Sequence, residues 1–139
     1  MITNKFVPDG LRLPLLEYET QLQYDMVKIE NALREGYAGS PEAIDSLQSY
    51  LRSYKEKLVA ETQYMLDYYK QHSKCFTQRF VAIAITRLYG NYLYYSTYLR
   101  EYEFIAKEDF PNEFRTEISW ADKQWIKITE FLCVAMLGE

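Results

Sequence analysis

Residues 40–71 read SPEAIDSLQSYLRSYKEKLVAETQYMLDYYKQ, and this stretch decides the fold. Apolar and amphipathic side chains recur in it every three or four residues, which aligns them along one side of an α-helix. Such sustained spacing is typical of helices that pack nearly parallel to one another in bundles. The side chains on this stripe are Ile44, Leu47, Leu51, Tyr54, Leu58, Thr62, Met65 and Tyr69.

The start of this helix carries three favourable residues in a row. The Ser40 hydroxyl can accept a hydrogen bond from the free N–H groups of the first turn. Pro41 suits the first helical position, where no N–H is needed, and the charge of Glu42 favours the positive end of the helix dipole. We therefore predict a helix over about 41–71.

The end of this helix is less clearly marked, because neither Gly nor Pro occurs between Pro41 and Gly90. One continuous rod through both regions is therefore an alternative. Residues 70–74 are all polar and interrupt the apolar stripe, and Ser73 or Thr77 could cap a new helix. We therefore predict a turn here rather than a rod.

Three further segments show the same helical spacing. We expect residues 1–12 to be extended, Pro14 to start the first helix, Gly36 and Gly39 to end it, and Asn112 to cap the last. Four long helices joined by short turns predict a single all-α domain over residues 1–139, an antiparallel up-down-up-down four-helix bundle. The expected helices are about 14–36, 41–71, 76–106 and 112–137, the last ending at Gly138.

The third helix is apolar on more than one side, which predicts burial by several neighbours. Val81, Ile85, Tyr92 and Phe104 extend its apolar surface round the cylinder. Gly90 lies in its middle, where glycine is unfavourable by about 1 kcal/mol relative to Ala. Either a close helix crossing or a kink would explain this residue.

Charge and targeting signals limit the classes of partner. Lys plus Arg number 16 against 20 Asp plus Glu, a net charge of −4, which argues against nucleic acid as a partner. No signal-peptide pattern and no membrane-spanning apolar run occurs in the sequence, so we expect a cytoplasmic protein without membrane insertion. Cys75 and Cys133 are offset too far along neighbouring helices for a disulfide, and we expect both to be free, buried thiols.

A search for catalytic chemistry finds no convincing set of residues. The one histidine, His72, has Tyr69 rather than a carboxylate three residues before it, so the helical di-metal pattern is missing. His72 and Cys75 form the single nucleophile–base candidate, and chance explains their spacing better than catalysis. We therefore expect a protein that is not an enzyme and that uses no metal and no cofactor.

Tyrosine is the one compositional oddity, with 14 residues in the chain. Neighbouring tyrosines on one helix cannot all face the same core, so some must reach the surface or a cavity. They line either the wet rim of an ordinary core, an interface, or a pocket for a planar ligand. As the candidate interaction surface we select Tyr64, Tyr68, Tyr94 and Tyr98.

Two functional hypotheses follow from these patterns. The first is a non-enzymatic interaction or regulatory protein whose Tyr-rich helix faces bind a protein partner, a second copy of the chain, or both. The second is a small-molecule binder or sensor with an aromatic-lined cavity between helices. Association that depends on Tyr94 and Tyr98 would support the first, and stabilisation by a ligand would support the second.

Overall fold

The computed structural model describes residues 7–137, with the side chains of Trp125 and of 131–137 excepted. These residues form four long helices, and no strand occurs within this part of the chain. The predicted all-α bundle is confirmed. The helices are α1 (Asp9–Tyr37), α2 (Pro41–Gln71), α3 (Gln78–Ala106) and α4 (Asn112–Leu137), and short 3₁₀ turns lie at Ser73–Cys75 and Lys107–Asp109.

Two capping side chains lie at the starts of α2 and α3, as predicted from the sequence. The Ser40 hydroxyl accepts from the backbone N–H of Ala43 at 3.3 Å, and the Thr77 hydroxyl accepts from that of Phe80 at 3.2 Å. Gly39, just before Ser40, has φ +98°, a conformation that favours glycine. Because α2 ends at Gln71 and the Thr77 cap starts α3 at Gln78, the predicted break between the second and third helices is confirmed and a single rod is excluded.

Contacts between α1 and α2 show that they run in opposite directions. Near one end Tyr18 packs on Tyr64, and near the other Gly36 lies against Ile44, so the numbering rises in one helix as it falls in the other. Helices α2 and α3 are also antiparallel, as the contacts Glu61–Arg87 and Tyr54–Tyr98 show. The contacts Tyr95–Trp120 and Tyr102–Phe114 show the same for α3 and α4.

Side-chain contacts also join the helices that run in the same direction. Glu19 and Glu30 of α1 meet Arg87 and Tyr98 of α3, and Arg52 and Lys55 of α2 pair with Glu113 and Glu117 of α4. These pairs bring α1 beside α3 and α2 beside α4. Two lengthwise surfaces result, and the candidate sites lie on them.

The core follows the predicted stripes and is rich in rings. Tyr54, Tyr92, Tyr95 and Tyr102 are among the largest fully buried side chains. Rings of this size contribute most of the apolar area that stabilises a small domain. The apolar residues that the first three helices contribute most deeply are Leu11, Leu15, Leu22, Ile29, Leu47, Leu51, Leu58, Phe80, Leu88 and Leu99.

The N-terminal boundary of α1 was predicted wrongly. The helix begins at Asp9, so residues 9–12 are helical rather than extended, and Pro14 lies inside the helix. Val7 and Leu11 are buried in the core. The stability gained from this burial outweighs the loss of the backbone hydrogen bond that Pro14 cannot donate.

Three smaller expectations also fail. Phe104 does not extend the buried surface of α3, because 71% of it is exposed, with its ring beside Tyr37. Asn112 is the first residue of α4 rather than its cap, and its side chain accepts from the Arg115 guanidinium at 3.3 Å. Cys75 is free but exposed rather than buried. The side chain of Cys133 and the stop at Gly138 lie outside the described residues.

None of the described helices is long and apolar enough to cross a membrane.

Candidate functional site

The outward side of α1 carries a second apolar stripe. Leu13, Leu16, Tyr24 and Val27 are each more than half exposed, between 56% and 63%. The core stripe of the same helix runs through Leu11, Leu15, Leu22, Ile29 and Leu33. At 100° per residue, the exposed stripe lies on the side of the helix opposite the core. A helix of an isolated bundle normally places charged and polar residues there.

The outward side of α3, like the exposed stripe of α1, carries no charged residue over most of its length. Between residues 80 and 99 the only charged residue is Arg87, and its side chain is 11% exposed. The exposed residues of this segment include Leu93, Tyr94 and Thr97. The outward sides of α1 and α3 and the groove between them are called the α1–α3 surface below.

The groove itself is an open cavity of about 570 Å³ between the two helices. Met26 and Glu19 line its α1 side, and Gly90 and Tyr94 line its α3 side. A Cβ atom at Gly90 would meet nothing within 4 Å. A close helix crossing therefore does not explain this glycine, and α3 continues as a helix through it.

The floor of the groove is a cluster of charged and polar groups. Glu61 of α2 is fully buried, and its Oε2 accepts from Arg87 Nε at 2.9 Å and Nη2 at 2.5 Å. Its Oε1 accepts from Asn91 Nδ2 at 3.1 Å. Arg87 also lies 3.6 Å from a carboxylate oxygen of Glu19 on α1. These four side chains, called the charge cluster, tie α1, α2 and α3 together.

Two carboxylates share one guanidinium in the charge cluster. Burial raises the pKa of Glu61 above its ordinary value, and Arg87 and Asn91 oppose the shift by stabilising the charged form. When both carboxylates are ionised, the cluster carries one excess negative charge. Glu19 is the one that borders the groove, so a cation approaching from solvent would meet it first.

The four tyrosines selected from the sequence do not form one surface. Tyr64 packs on Tyr18 between α1 and α2, and Tyr68 lies against His72 and Phe76 at the end of α2. Tyr94, 49% exposed, lies in the groove and stacks on Tyr98.

Tyr98 was selected as part of an exposed interaction surface, and the structure shows it to be buried. It is 4% exposed, and its hydroxyl donates to Glu30 at 2.5 Å. Burial raises its pKa above the ordinary range. Tyr98 therefore belongs to the core, and Tyr94 is the residue of this pair that a partner can reach.

A second cavity, of about 460 Å³, lies between α2 and α4. Two of its lining residues, Tyr95 and Glu117, each have a buried polar atom without a hydrogen-bond partner, the Tyr95 hydroxyl and Glu117 Oε2. The other oxygen of Glu117 accepts from Lys55 Nζ at 2.5 Å. We call this cavity the α2–α4 pocket. Its residues are Arg52, Lys55, Glu56, Val59, Tyr95, Glu113, Phe114 and Glu117.

Comparison with protein-family models, curated proteins and solved structures gave no match. Function is therefore inferred from the residues and their geometry.

The residues considered for catalysis lie apart from both cavities. His72 ends α2 with its ring 4.5 Å from that of Tyr68, and Cys75 follows in the exposed 3₁₀ turn. Among the residues that the structure describes, no three His, Cys, Asp or Glu side chains come together as a metal site.

Sequence reasoning missed the exposed stripe of α1 and the charge cluster. The stripe had a visible signal, since residues 13, 16, 20, 24 and 27 are uncharged and recur at three- and four-residue steps. The charge cluster had none, because its members lie on three helices and meet only in the folded register.

Proposed function

We propose that this protein is a non-enzymatic, regulatory interaction bundle whose α1–α3 surface binds an amphipathic helix of a partner protein. The observation that carries the proposal is the exposed stripe of Leu13, Leu16, Tyr24 and Val27. Monomeric proteins rarely expose contiguous apolar patches larger than a few hundred Å², and larger patches commonly mark interaction sites.

The shape of the surface favours a helix as the occupant. From Leu13 to Val27 the stripe is about 21 Å long at 1.5 Å per residue, or about four helical turns. A partner helix lying across the α1–α3 surface could bury apolar side chains against the α1 stripe, while Tyr94 and Leu93 offer apolar contact on the α3 side. The missing side chain at Gly90 leaves room for one of them.

Charge favours a basic residue on that partner helix. When Glu19 and Glu61 are both ionised, the charge cluster has one negative charge in excess, and Glu19 borders the groove. A Lys or Arg of the partner near Glu19 would balance this charge, and such pairing mainly contributes specificity and association rate. We propose the cytoplasm as the location, on the basis of the mildly acidic charge of −4.

The test is a quantitative pull-down from the native cell with variants that alter the α1–α3 surface and not the fold. Gly90→Leu adds a side chain to open space, and Leu93→Asp puts a charge on the surface. The matched control is Ile126→Asp on α4, since Ile126 and Leu93 are both 45% exposed.

We expect the wild-type protein and Ile126→Asp to retain a helical partner, and we expect Gly90→Leu and Leu93→Asp to recover at least tenfold less of it. Retention by all four proteins would contradict the proposal. Light scattering on the purified chain checks self-association. A dimer that Leu93→Asp dissociates would mean that a second copy, rather than a different protein, occupies the surface.

A further inference from the structure

We infer that the groove between α1 and α3 binds a small organic amine, whose ammonium group pairs with Glu19 and whose apolar body packs against the groove walls. This inference does not rest on the proposed function, because a free amine needs neither the exposed stripe of α1 nor a partner protein. A basic residue of the partner helix would use the same carboxylate, so the shared chemistry is a cationic group on an apolar stem.

The loose pairing of Glu19 is the primary observation. Glu19 lines the groove with its side chain 15% exposed, and a carboxylate oxygen lies 3.6 Å from Arg87 Nη1. A charge-assisted hydrogen bond is shorter, at about 2.7–2.9 Å. An ionised carboxylate has several acceptor sites on its two oxygens. Glu19 can therefore still accept hydrogen bonds from a bound cation.

The positive charge of Arg87 is directed to the buried Glu61 rather than to Glu19. Arg87 Nε and Nη2 donate to Glu61 Oε2 at 2.9 and 2.5 Å, and Asn91 Nδ2 donates to Oε1 at 3.1 Å. Three donors to one carboxyl group favour its ionised form at neutral pH. Arg87 then offsets Glu61, and Glu19 supplies the excess negative charge. Of the described residues that line the groove, Glu19 and Arg87 are the charged ones.

The walls around Glu19 offer apolar contact to the body of the ligand. Leu22 and Met26 line the α1 side, and Ile83 and Tyr94 line the α3 side. The Tyr94 ring is 49% exposed and stacks on that of Tyr98 at 6.0 Å, which fixes its position beside the groove. An aromatic face of this kind also attracts a cation.

The groove has room for such a ligand. Its volume of about 570 Å³ lies within the range of about 300–1,000 Å³ that is usual for small-ligand sites. Gly90 contributes to this space, since a Cβ atom there would meet nothing within 4 Å.

The charge of the groove selects a cation among ligands with an apolar body. An ammonium group gains from Glu19, whereas a carboxylate would meet its like charge and a neutral group would leave the excess charge unbalanced. The α2–α4 pocket provides a matched control, because Glu56 on its wall is an exposed carboxylate. Pairing with an exposed charge contributes little to binding.

The probes are phenethylamine, phenethyl alcohol and phenylacetate, which at neutral pH are a cation, a neutral molecule and an anion of similar size. Binding to the full chain is followed by ¹H–¹⁵N NMR titration. We expect phenethylamine to bind at least about tenfold more tightly than the other two, with shifts centred on Gln23, Ile83 and Gly90. Equal binding of phenethylamine and phenethyl alcohol would overturn the inference.

Two carboxylate variants form a matched pair. Glu19→Gln removes the charge at the groove and leaves the Arg87–Glu61 pair, so the chain should stay folded and bind phenethylamine about tenfold more weakly. Its binding of phenethyl alcohol should not change, because that probe does not use the charge. Glu56→Gln should bind phenethylamine like the wild-type protein. Equal weakening by both variants would mean a general attraction to acidic surface, and the inference would be wrong.

Gly90→Leu tests the cavity separately from the charge. The added side chain fills part of the groove, so it should weaken the binding of phenethylamine and of phenethyl alcohol alike. Unchanged phenethylamine binding would place the amine elsewhere and contradict the inference. If the wild-type chain captures a helical partner but binds no phenethylamine, the amine site is refuted while the proposed function stands.

Discussion

Arg87 is the residue on which the charge cluster depends most. It balances the buried Glu61 and also faces Glu19, so its loss would leave two carboxylates without a cation. We expect Arg87→Met to lower the free energy of unfolding by about 3–5 kcal/mol. Glu61→Gln keeps the Arg87–Glu19 pair and removes a buried charge, so it should cost no more than about 1 kcal/mol. Urea denaturation of the two variants measures both values, and equal losses would contradict this assignment.

The raised pKa of Glu61 also predicts the pH dependence of stability. Above its ordinary value of 4.5 the unfolded chain has released this proton while the folded chain still holds it. The folded state therefore binds more protons, and its stability falls as the pH rises through this window. Relative to Glu61→Gln, which cannot titrate, the wild-type protein should gain stability on acidification toward pH 4.5. Denaturation midpoints across the pH range test this, and a difference that stays constant would be inconsistent with it.

Tyr94 and Tyr98 are stacked neighbours with opposite roles. Tyr98→Ala should lower the free energy of unfolding by about 3–5 kcal/mol, because it removes a buried ring and opens a cavity in the core. Tyr94→Ala should change stability by less than about 1 kcal/mol. Thermal melts of the single variants separate the two residues. A combined Tyr94 and Tyr98 substitution is therefore a poor test of binding, because it also disrupts the fold.

At the scale of the helices, Gly90 keeps the groove open and does not stabilise α3. A Cβ there meets nothing within 4 Å, and Ala is the better helix former by about 1 kcal/mol. Gly90→Ala should therefore raise the free energy of unfolding by about 0.5–1 kcal/mol. A loss of stability in chemical denaturation would show that the glycine has a structural role in the bundle.

The helix boundaries divide into those with local signals and those set by packing. Ser40, Pro41 and Thr77 act on their own turns, so the start of α2 and the break before α3 could be predicted from the sequence. The start of α1 could not, because Pro14 is a good local start signal and burial of Val7 and Leu11 outweighs it. Capping residues therefore predict a helix boundary well only where tertiary packing does not favour a different boundary.

At the scale of the whole molecule, the bundle could be predicted because every helix repeats its apolar residues at the same spacing. The candidate sites were harder to predict, because they depend on which helices lie side by side. Tyrosine composition pointed to the groove only through Tyr94. The exposed stripe of α1 was readable from the spacing of residues 13, 16, 20, 24 and 27, whereas the charge cluster and the α2–α4 pocket depend on α1 lying beside α3 and α2 beside α4.

The most direct test of the central claim is site-specific photo-cross-linking in the native cell. A photoreactive residue replaces Leu16 on the α1–α3 surface, or Ile126 on α4 as the control. We expect a discrete cross-linked protein from position 16 and none from position 126. No product at position 16, or the same products at both positions, would contradict a dedicated interaction surface on α1 and α3.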